Sequence, residues 1–224
     1  WSYRLVLMLL QTAAFQNHVI EWARDHRTHH KFSETDADPH NANRGFFFAH
    51  MGWLMCRKHP EVIKKGKLVD MSDLENDPIL AFQKKYYIFI VPIFAFLIPT
   101  YLTSYMTGDT PLNCFLICGM LRYVVTLHIT WLVNSAAHLW GSRPYDKEMQ
   151  PAENIFVSIG AIGEGFHNYH HCFPYDYATS EFGIRFNATA CIIDMAAAVG
   201  LVWDRKRANQ QSVKARRART GDGL

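Results

Sequence analysis

Six histidines of this chain form two copies of the pattern H-x-x-H-H. They are His26, His29 and His30 in DHRTHH, and His167, His170 and His171 in FHNYHH. On an α-helix, positions i, i+3 and i+4 lie on one face, so each copy would direct three imidazoles into a common space. Imidazole nitrogen is a good ligand for zinc, copper, iron and nickel. The two copies therefore predict a metal site.

The number and type of these ligands favour a pair of redox metals over a structural zinc. Structural zinc is usually held by four ligands that include cysteine. Six histidines exceed one tetrahedral site, and the five cysteines of the chain form no C-x-x-C pair. Nitrogen-rich ligation leaves iron able to take open positions for O2. The count fits two metals that share a site, and zinc could occupy this site as an artefact of overexpression because imidazole binds zinc more tightly than ferrous iron.

A further pair of polar residues lies at the end of an apolar stretch. Asn134 and His138 are four residues apart and would share a helix face. Polar groups at membrane depth usually face a cavity and mark function. We therefore predict His138 as a ligand, while Asn134 could either face the metals or cap its helix. His40 has no histidine at helical spacing, and we assign it a structural or supporting role.

The elements that must position these histidines include a membrane hairpin. Residues 86–106 carry no charge and would span about 30 Å at about 1.5 Å per residue, which is one hydrocarbon core. Residues 111–133 form a second apolar stretch after a short link. We therefore divide a single domain into a partial membrane helix, a cytosolic segment, a transmembrane hairpin and a second cytosolic segment with a basic tail. Their predicted bounds are 1–15, 16–85, 86–133 and 134–224.

The distribution of charge predicts that both histidine copies lie on one side of the membrane. Most Lys and Arg residues fall in residues 16–85 and 134–224, and the hairpin turn contains none. The positive-inside rule places these two segments in the cytosol. Residues 154–163 would form an amphipathic helix at the membrane interface, and residues 182–203 a helix packed on the cytosolic domain. We expect the basic tail, residues 205–219, to be disordered.

The fold class predicted from these features is all-α. The chain has no strand-like alternation long enough to build a sheet, so we expect integral membrane helices and a cytosolic helical cap domain that carries a histidine-rich dimetal site. A net charge of +3 is too small to indicate nucleic-acid binding, and the bilayer is the expected partner. Because the chain enters an apolar run at once, we expect Trp1 to lie inside a longer protein.

Four stretches of this sequence resemble the acyl-CoA Δ9 desaturases, the stearoyl-CoA desaturases of animals, with the insect members closest. The stretches are WARDHRTHHKFSETDADPHN, RGFFFAHMGWLMCRKHPEV, TWLVNSAAHLWGSRPYD and GEGFHNYHHCFPYDY. The similarity covers nearly the whole chain, and GEGFHNYHH is highly specific. The family also carries an H-x-x-x-x-H box, which this sequence lacks. The resemblance implies that this chain alone would be inactive, since two ligands would be missing.

The resemblance also implies the site residues. Positions matching iron ligands are His26, His29, His30, His138, His167, His170 and His171, with Asn134 reaching one iron through water. Positions matching the acyl-CoA site are Asn17, Arg24, Asp25, Arg57, Lys58 and Trp131, and those lining the bend of the acyl tunnel are Gln16, Trp22 and Thr130. Cationic side chains suit the phosphates of CoA.

The activity implied by the resemblance is an O2-dependent insertion of a cis double bond, at Δ9, into a saturated acyl-CoA. Its electrons would come from cytochrome b5, and the protein would be a multi-pass protein of the endoplasmic reticulum membrane with its histidines facing the cytosol. Two alternatives remain open. The same irons could desaturate another position such as Δ11 or hydroxylate the chain, or the protein could be a catalytically incomplete lipid-binding membrane protein.

Overall fold

The computed structural model describes residues 1–182 and 187–223. Secondary structure in this part of the chain is helical, and its extended pairings are isolated bridges from Glu153 to Ser142 and to Phe166. The all-α prediction is therefore confirmed for the described residues.

The helices follow one another with short connections. In chain order the α-helices are α1 (Ser2–Ala14), α2 (Val19–Phe32), α3 (Phe46–His50), α4 (Pro60–Gly66), α5 (Ser72–Glu75), α6 (Pro78–Val91), α7 (Ile98–Thr107), α8 (Pro111–Cys114), α9 (Arg122–Asn134), α10 (Ala136–Leu139), α11 (Ile155–Gly160), α12 (His167–Cys172), α13 (Ala188–Ala198) and α14 (Gln210–Thr220). Short 3-10 helices occupy Ala42–Arg44 and Gly52–Met55. Two π-helical segments occupy Pro92–Leu97 and Phe115–Leu121.

The chain forms two compact units. The first contains residues 1–31, 37–39 and 59–128, and the second contains residues 32–36, 40–58 and 129–224, apart from the undescribed positions. Each unit therefore carries one of the H-x-x-H-H copies.

Two long apolar helices have the length needed to cross a membrane. They run through the π-helical segments as Pro78–Thr107 and Pro111–Leu139, and most of their side chains face outward. The first begins earlier than the predicted residue 86 because Asp77 caps it, with Oδ1 accepting the Ile79 N–H at 2.8 Å. Gly108 ends it with a φ of 73°. An apolar helix that is not buried in a core needs an apolar solvent, so both helices suit a bilayer.

A charged side chain within this hairpin compensates for a proline. Pro99 has no N–H to donate to the preceding turn, and the Ala95 carbonyl, four residues earlier, accepts a hydrogen bond of 2.7 Å from the Arg122 guanidinium. Arg122 also donates to the carbonyls of Cys118 at 2.8 Å and Ala13 at 3.4 Å. Arginine within a membrane span is costly unless it is paired in this way. Arg122 thus joins the π-helical segments and the end of α1.

A buried glutamine fixes the start of α2 in the first unit. Gln83 is fully buried, and its Nε2 donates to Gln11 at 2.6 Å and to the Thr12 hydroxyl at 2.9 Å. Its Oε1 accepts the Val19 N–H at 3.0 Å. One amide side chain therefore connects α1 and α6 to the first residue of the helix that carries the first histidine copy.

The second unit has two small apolar clusters. One contains Tyr145, Tyr169, Phe173 and Val213. The other contains Ala136, Ala137 and Val157, which join α10 to α11. Both clusters include side chains from the helices that carry histidines, so the packing of this unit also positions these histidines.

The basic tail is ordered, so the prediction of a disordered tail was wrong. Residues Gln210–Thr220 form α14, whose Val213 is buried in an apolar cluster. The Thr220 hydroxyl donates to the Tyr145 carbonyl at 2.6 Å, and Arg216 pairs with Asp146. The sequence pattern missed this helix because only one apolar side chain and a few polar contacts hold it against the unit.

Candidate metal centre

The first histidine copy lies on one face of α2, as its spacing predicts. The ring centroids of His26 and His30 are 4.5 Å apart, and those of His29 and His30 are 5.7 Å apart. The indole of Trp22, one turn earlier, stacks on His26 with centroids 4.7 Å apart and planes inclined by 22°. The helix therefore presents three imidazoles together, with an aromatic wall at one end.

A carboxylate holds the most buried of these imidazoles. The Nδ1 atom of His29 lies 2.8 Å from Oδ1 of Asp38, and both side chains are buried. A neutral imidazole that donates its Nδ1 proton carries its lone pair on Nε2, which is the form that binds metal. The carboxylate thus selects both the tautomer and the orientation of His29.

The second unit brings four more histidines together. His138 from α10 and His167 from α12 place their Nε2 atoms 2.9 Å apart, and Nε2 of His171 lies 3.1 Å from Nε2 of His167. His138 and His167 are almost fully buried, whereas His170 and His171 are half-buried. Three ring nitrogens that approach one another this closely can share one metal ion.

A second carboxylate repeats the arrangement at His138. Oε1 of Glu34 lies 2.6 Å from Nδ1 of His138, which leaves Nε2 facing the other imidazoles. Glu34 has a φ of 59°, an uncommon left-handed conformation for a non-glycine residue. Each unit therefore holds a buried histidine by a carboxylate on Nδ1. Since neutral nitrogen donors with carboxylate partners are typical of ligands to zinc and iron, the residues present suit such metals.

Asn168 fixes the helix that carries the second copy. Its buried Oδ1 accepts the N–H groups of Tyr145 at 2.9 Å and Asp146 at 3.1 Å. Its Nδ2 donates to the carbonyls of Asp146 at 3.0 Å and Pro151 at 2.9 Å. All four hydrogen-bonding sites of this amide are used, which holds the side chain in one orientation. The helix α12 is therefore anchored by a residue of the motif itself.

Glu153 supports the first turn of α12. Its carboxylate accepts the Tyr169 N–H at 2.8 Å, as acidic groups at helix N-termini commonly do. Burial raises the pKa of Glu153 to about 8, and the hydrogen bond from Tyr169 opposes this shift. The carboxyl group therefore lies in a poorly solvated environment directly beneath the histidine helix.

Steric constraints explain why both glycines of GEGFHNYHH are glycine. Gly163 has a φ of 107°, which favours glycine. A Cβ on Gly165 would lie 2.3 Å from the Ser158 nitrogen and 2.4 Å from the Asn154 oxygen. The loop between α11 and α12 therefore permits no side chain at residue 165.

The thiol of Cys172, directly after the second copy, lies in a poorly solvated environment beside a methionine. Burial raises the pKa of its thiol to about 11, and the sulfur contacts Met149 Sδ at 3.8 Å. The hydrogen bond of this thiol is therefore directed to Met149.

Three further residues, two of them predicted, have defined surroundings. Asn134 is half-buried at the last position of α9. His40 is buried edge-on against Trp53, with centroids 4.4 Å apart. His50, which we did not predict as a ligand, lies 3.0 Å from the Ser135 hydroxyl. Asn134 stays a predicted ligand, and the assignment of a supporting role to His40 also stays a prediction.

The predicted acyl-CoA residues of the first unit lie on and before α2. Arg24 pairs with Glu75 at 2.8 Å and with Glu21 at 3.3 Å. Asn17 is exposed with a φ of 67°, Asp25 is buried and Gln16 is half-buried.

In the second unit, Arg57 is exposed, and Lys58, Thr130 and Trp131 are half-buried. Trp131 packs edge-on against His50, with centroids 5.7 Å apart. The roles of these residues in substrate binding stay predictions.

Sequence reasoning missed the two carboxylates that hold the imidazoles. Both Glu34 and Asp38 lie in the stretch FSETDADPHN, which contains several acidic residues. The stretch has no periodic pattern that would indicate which acidic side chain turns inward. A conformational signal exists only in the structure, where Glu34 has a positive φ.

Comparison with known proteins identifies the family. A family profile described as fatty acid desaturase matches residues 1–187. The chain belongs to this family. The predicted resemblance is therefore confirmed. Family membership and the two long apolar helices together make this chain a membrane protein.

Desaturases from an insect and from human are similar to this chain. The acyl-CoA Delta-9 desaturase of Acheta domesticus is 58% identical over 100% of this chain and 62% of its own length. The stearoyl-CoA desaturase of Homo sapiens is 56% identical over 98% of this chain and 61% of its own length. The acyl-CoA Delta12-desaturase of Acheta domesticus is 55% identical over 100% of this chain and 63% of its own length. The chain thus spans less than two thirds of the length of these relatives.

Proposed function

We propose that this desaturase introduces a cis double bond, at Δ9, into a saturated fatty acyl-CoA. The observation that carries the proposal is the pair of H-x-x-H-H motifs, each with a buried histidine held through Nδ1 by a carboxylate. The 58% identity to an acyl-CoA Delta-9 desaturase supports both the reaction class and the position.

The proposed metal ligands come from both histidine copies. They are His26, His29, His30, Asn134, His138, His167, His170 and His171. Two iron ions held by these residues would supply the oxidising chemistry with O2. The donors support this assignment because seven of them are imidazoles, and His29 and His138 each contact a carboxylate through Nδ1.

The net reaction consumes O2, two electrons and two protons together with the saturated chain. The chain loses two hydrogen atoms from neighbouring carbons, and two water molecules leave. The protein must therefore position one C–C bond and exclude water. We assign the positioning to Gln16, Trp22 and Thr130, and the stacking of Trp22 on His26 supports a place for this indole beside the ligands.

Cationic side chains would bind the phosphates of CoA. We assign this role to Arg24, Arg57 and Lys58, with Asn17, Asp25 and Trp131 as further contacts of the substrate. Arg57 is exposed and available to an anion. Arg24 is paired with Glu75, so binding of a phosphate to Arg24 would require exchange of this ion pair.

The electron donor we propose is cytochrome b5. An exposed basic stretch of the second unit, Arg205, Lys206 and Arg207, supports recognition of an acidic protein. We further propose that the protein lies in the endoplasmic reticulum membrane and spans it several times, with its histidines on the cytosolic side, because both flanks of the hairpin are basic.

Expression of the complete natural protein in yeast that lacks its own Δ9 desaturase tests the proposal. Fatty acids are analysed by mass spectrometry after derivatisation of double bonds, which locates each bond. We expect Δ9 products, and none from His167→Ala. The control His59→Ala, which replaces an exposed histidine that caps α4, should retain the product. A yeast without new double bonds would contradict the proposal.

The same analysis distinguishes the alternatives. The 55% identity to a Delta12-desaturase means that overall similarity does not fix the position of the double bond. Products at Δ11 or Δ12 would revise the position, and a hydroxylated chain would revise the outcome of the reaction. Bound acyl lipid without any product or iron would indicate a lipid-binding protein.

A further inference from the structure

The second unit exposes a group of large apolar side chains that its two clusters do not use. Phe156 is 83% exposed and Ile159 is 71% exposed. We call this group the apolar face, and its members are Phe46, Phe47, Trp140, Ile155, Phe156, Ile159 and Ile162. Exposed apolar patches of this kind usually contact a protein or a membrane.

Contacts within the unit bring together the elements that carry these side chains. The ring of Phe46 stacks on Trp140, with centroids 5.3 Å apart and planes inclined by 23°. The Trp140 carbonyl accepts a hydrogen bond of 3.0 Å from Asn154, the residue that caps α11. The start of α3, the end of α10 and the start of α11 are therefore neighbours.

The apolar face adjoins the end of an apolar membrane helix. The helix Pro111–Leu139 ends one residue before Trp140. Its side chains Leu132 and Val133 pack against the cluster that contains Val157 of α11. Since Val157 points inward, the exposed Phe156 and Ile159 lie on the outer side of a helix that packs on the last turns of the membrane span.

The composition of α11 suits the boundary between headgroups and acyl chains. Residues 154–162 contain no charged side chain, and Trp140 is an aromatic residue of the type enriched at membrane interfaces. We propose that the apolar face inserts into the lipid bilayer, as interfacial helices do to a depth of about 5–10 Å. A lipid surface is the occupant that continuity with the membrane span supports.

A hydrogen bond connects α11, which would contact the lipid, to the segment just before α12, which carries the second histidine copy. The Asn154 N–H at the start of α11 donates to the Gly165 carbonyl at 2.8 Å, two residues before α12 begins. Insertion of α11 would therefore fix the height of α12 relative to the bilayer. The proposal concerns lipid contact and does not depend on the proposed reaction.

Spin labels measure this insertion directly. The complete protein is reconstituted in lipid nanodiscs with Cys56→Ser, which removes the exposed cysteine, and with a nitroxide at Phe156→Cys or Ile159→Cys. A label at Gln211→Cys, on the exposed surface of α14, is the matched control. Spectra of the labelled Cys56→Ser parent are subtracted. Collision of the label with O2, which concentrates in lipid, is compared with collision with a water-soluble nickel chelate.

The proposal requires that the ratio of O2 to nickel collisions be several-fold higher at residues 156 and 159 than at residue 211. A ratio equal to that at residue 211 would place the apolar face in water and overturn the proposal. Exclusion of both reagents would overturn it as well, because a protein surface would then cover the face. Circular dichroism of both labelled variants confirms that each is folded.

Discussion

The Nδ1 atom of His29 and the Oδ1 atom of Asp38 lie 2.8 Å apart in a buried pair. Such a contact places the proton of the imidazole on Nδ1 and prepares Nε2 for a metal. The same relationship joins Glu34 to His138 at 2.6 Å in the second unit. The same arrangement therefore occurs in both units and supports the proposal that each of them presents metal ligands.

Replacing Asp38 should weaken metal binding more than it weakens folding. Asp38→Asn keeps an oxygen acceptor near His29 but removes the charge that makes the imidazole a stronger ligand. We expect about a 10–100-fold loss of iron affinity, the range usual for partners of metal-bound histidines. Iron titration of the chelator-treated protein measures it. Asp36→Asn, at an exposed position nearby, is the control, and equal affinities of the two variants would exclude a role for Asp38.

Gly165 should not tolerate a methyl group, whereas Gly160 should. Gly165→Ala forces a Cβ against the Ser158 nitrogen and Asn154 oxygen, and we expect a loss of about 1–3 kcal/mol. Gly160→Ala, at the end of α11, meets no atom within 4 Å and should be neutral or stabilising by up to about 1 kcal/mol. Thermal unfolding of both purified variants measures the difference, and similar melting temperatures would show that the loop is not tightly packed.

The buried carboxyl of Glu153 should make stability depend on pH. Burial raises its pKa from an ordinary 4.5 to about 8. Between these values the folded protein binds more protons than the unfolded protein, so stability should fall as the pH rises through this window. Glu153→Gln should flatten this dependence, while Glu148→Gln, at an exposed position, should leave it unchanged. Melting temperatures recorded from pH 4.5 to 8.5 test the sign, and a rise in the wild type that Glu153→Gln removes would refute it.

Arg122 and Pro99 should be coupled energetically. Arg122→Met leaves the Ala95 carbonyl without its donor, and we expect a loss of about 1–3 kcal/mol. Pro99→Ala restores a backbone N–H on the next turn and should reduce the cost of Arg122→Met. A double-mutant cycle on unfolding free energies measures this coupling. Strictly additive effects would mean that Arg122 does not compensate for the proline.

The sequence predicted the parts of the fold that have a strong period or composition. The spacing of His26, His29 and His30 predicted a shared helix face, and the uncharged residues 86–106 predicted a membrane-capable helix. Both features are local, so they can be predicted without knowledge of contacts between distant residues. The start of the hairpin at Pro78 was missed because a cap, not hydropathy, determines it.

Other features depend on contacts that no local pattern encodes. The roles of Asp38 and Glu34 follow from an irregular segment whose side-chain directions only the folded chain defines. The order of α14 follows from the buried side chain of Val213 and from the ion pair between Arg216 and Asp146. The proposed roles of Arg57 and Lys58 at CoA rest on the resemblance alone.

Whether both histidine copies hold redox metals is decided by the iron content of the complete protein. Protein purified without added metal is assayed by elemental analysis and Mössbauer spectroscopy. We expect about two iron ions per chain, because the nitrogen-rich donor set exceeds what one metal requires. A variant with His29→Ala and His167→Ala should lose both signals. A folded, full-length protein that binds no iron after anaerobic reconstitution would contradict it.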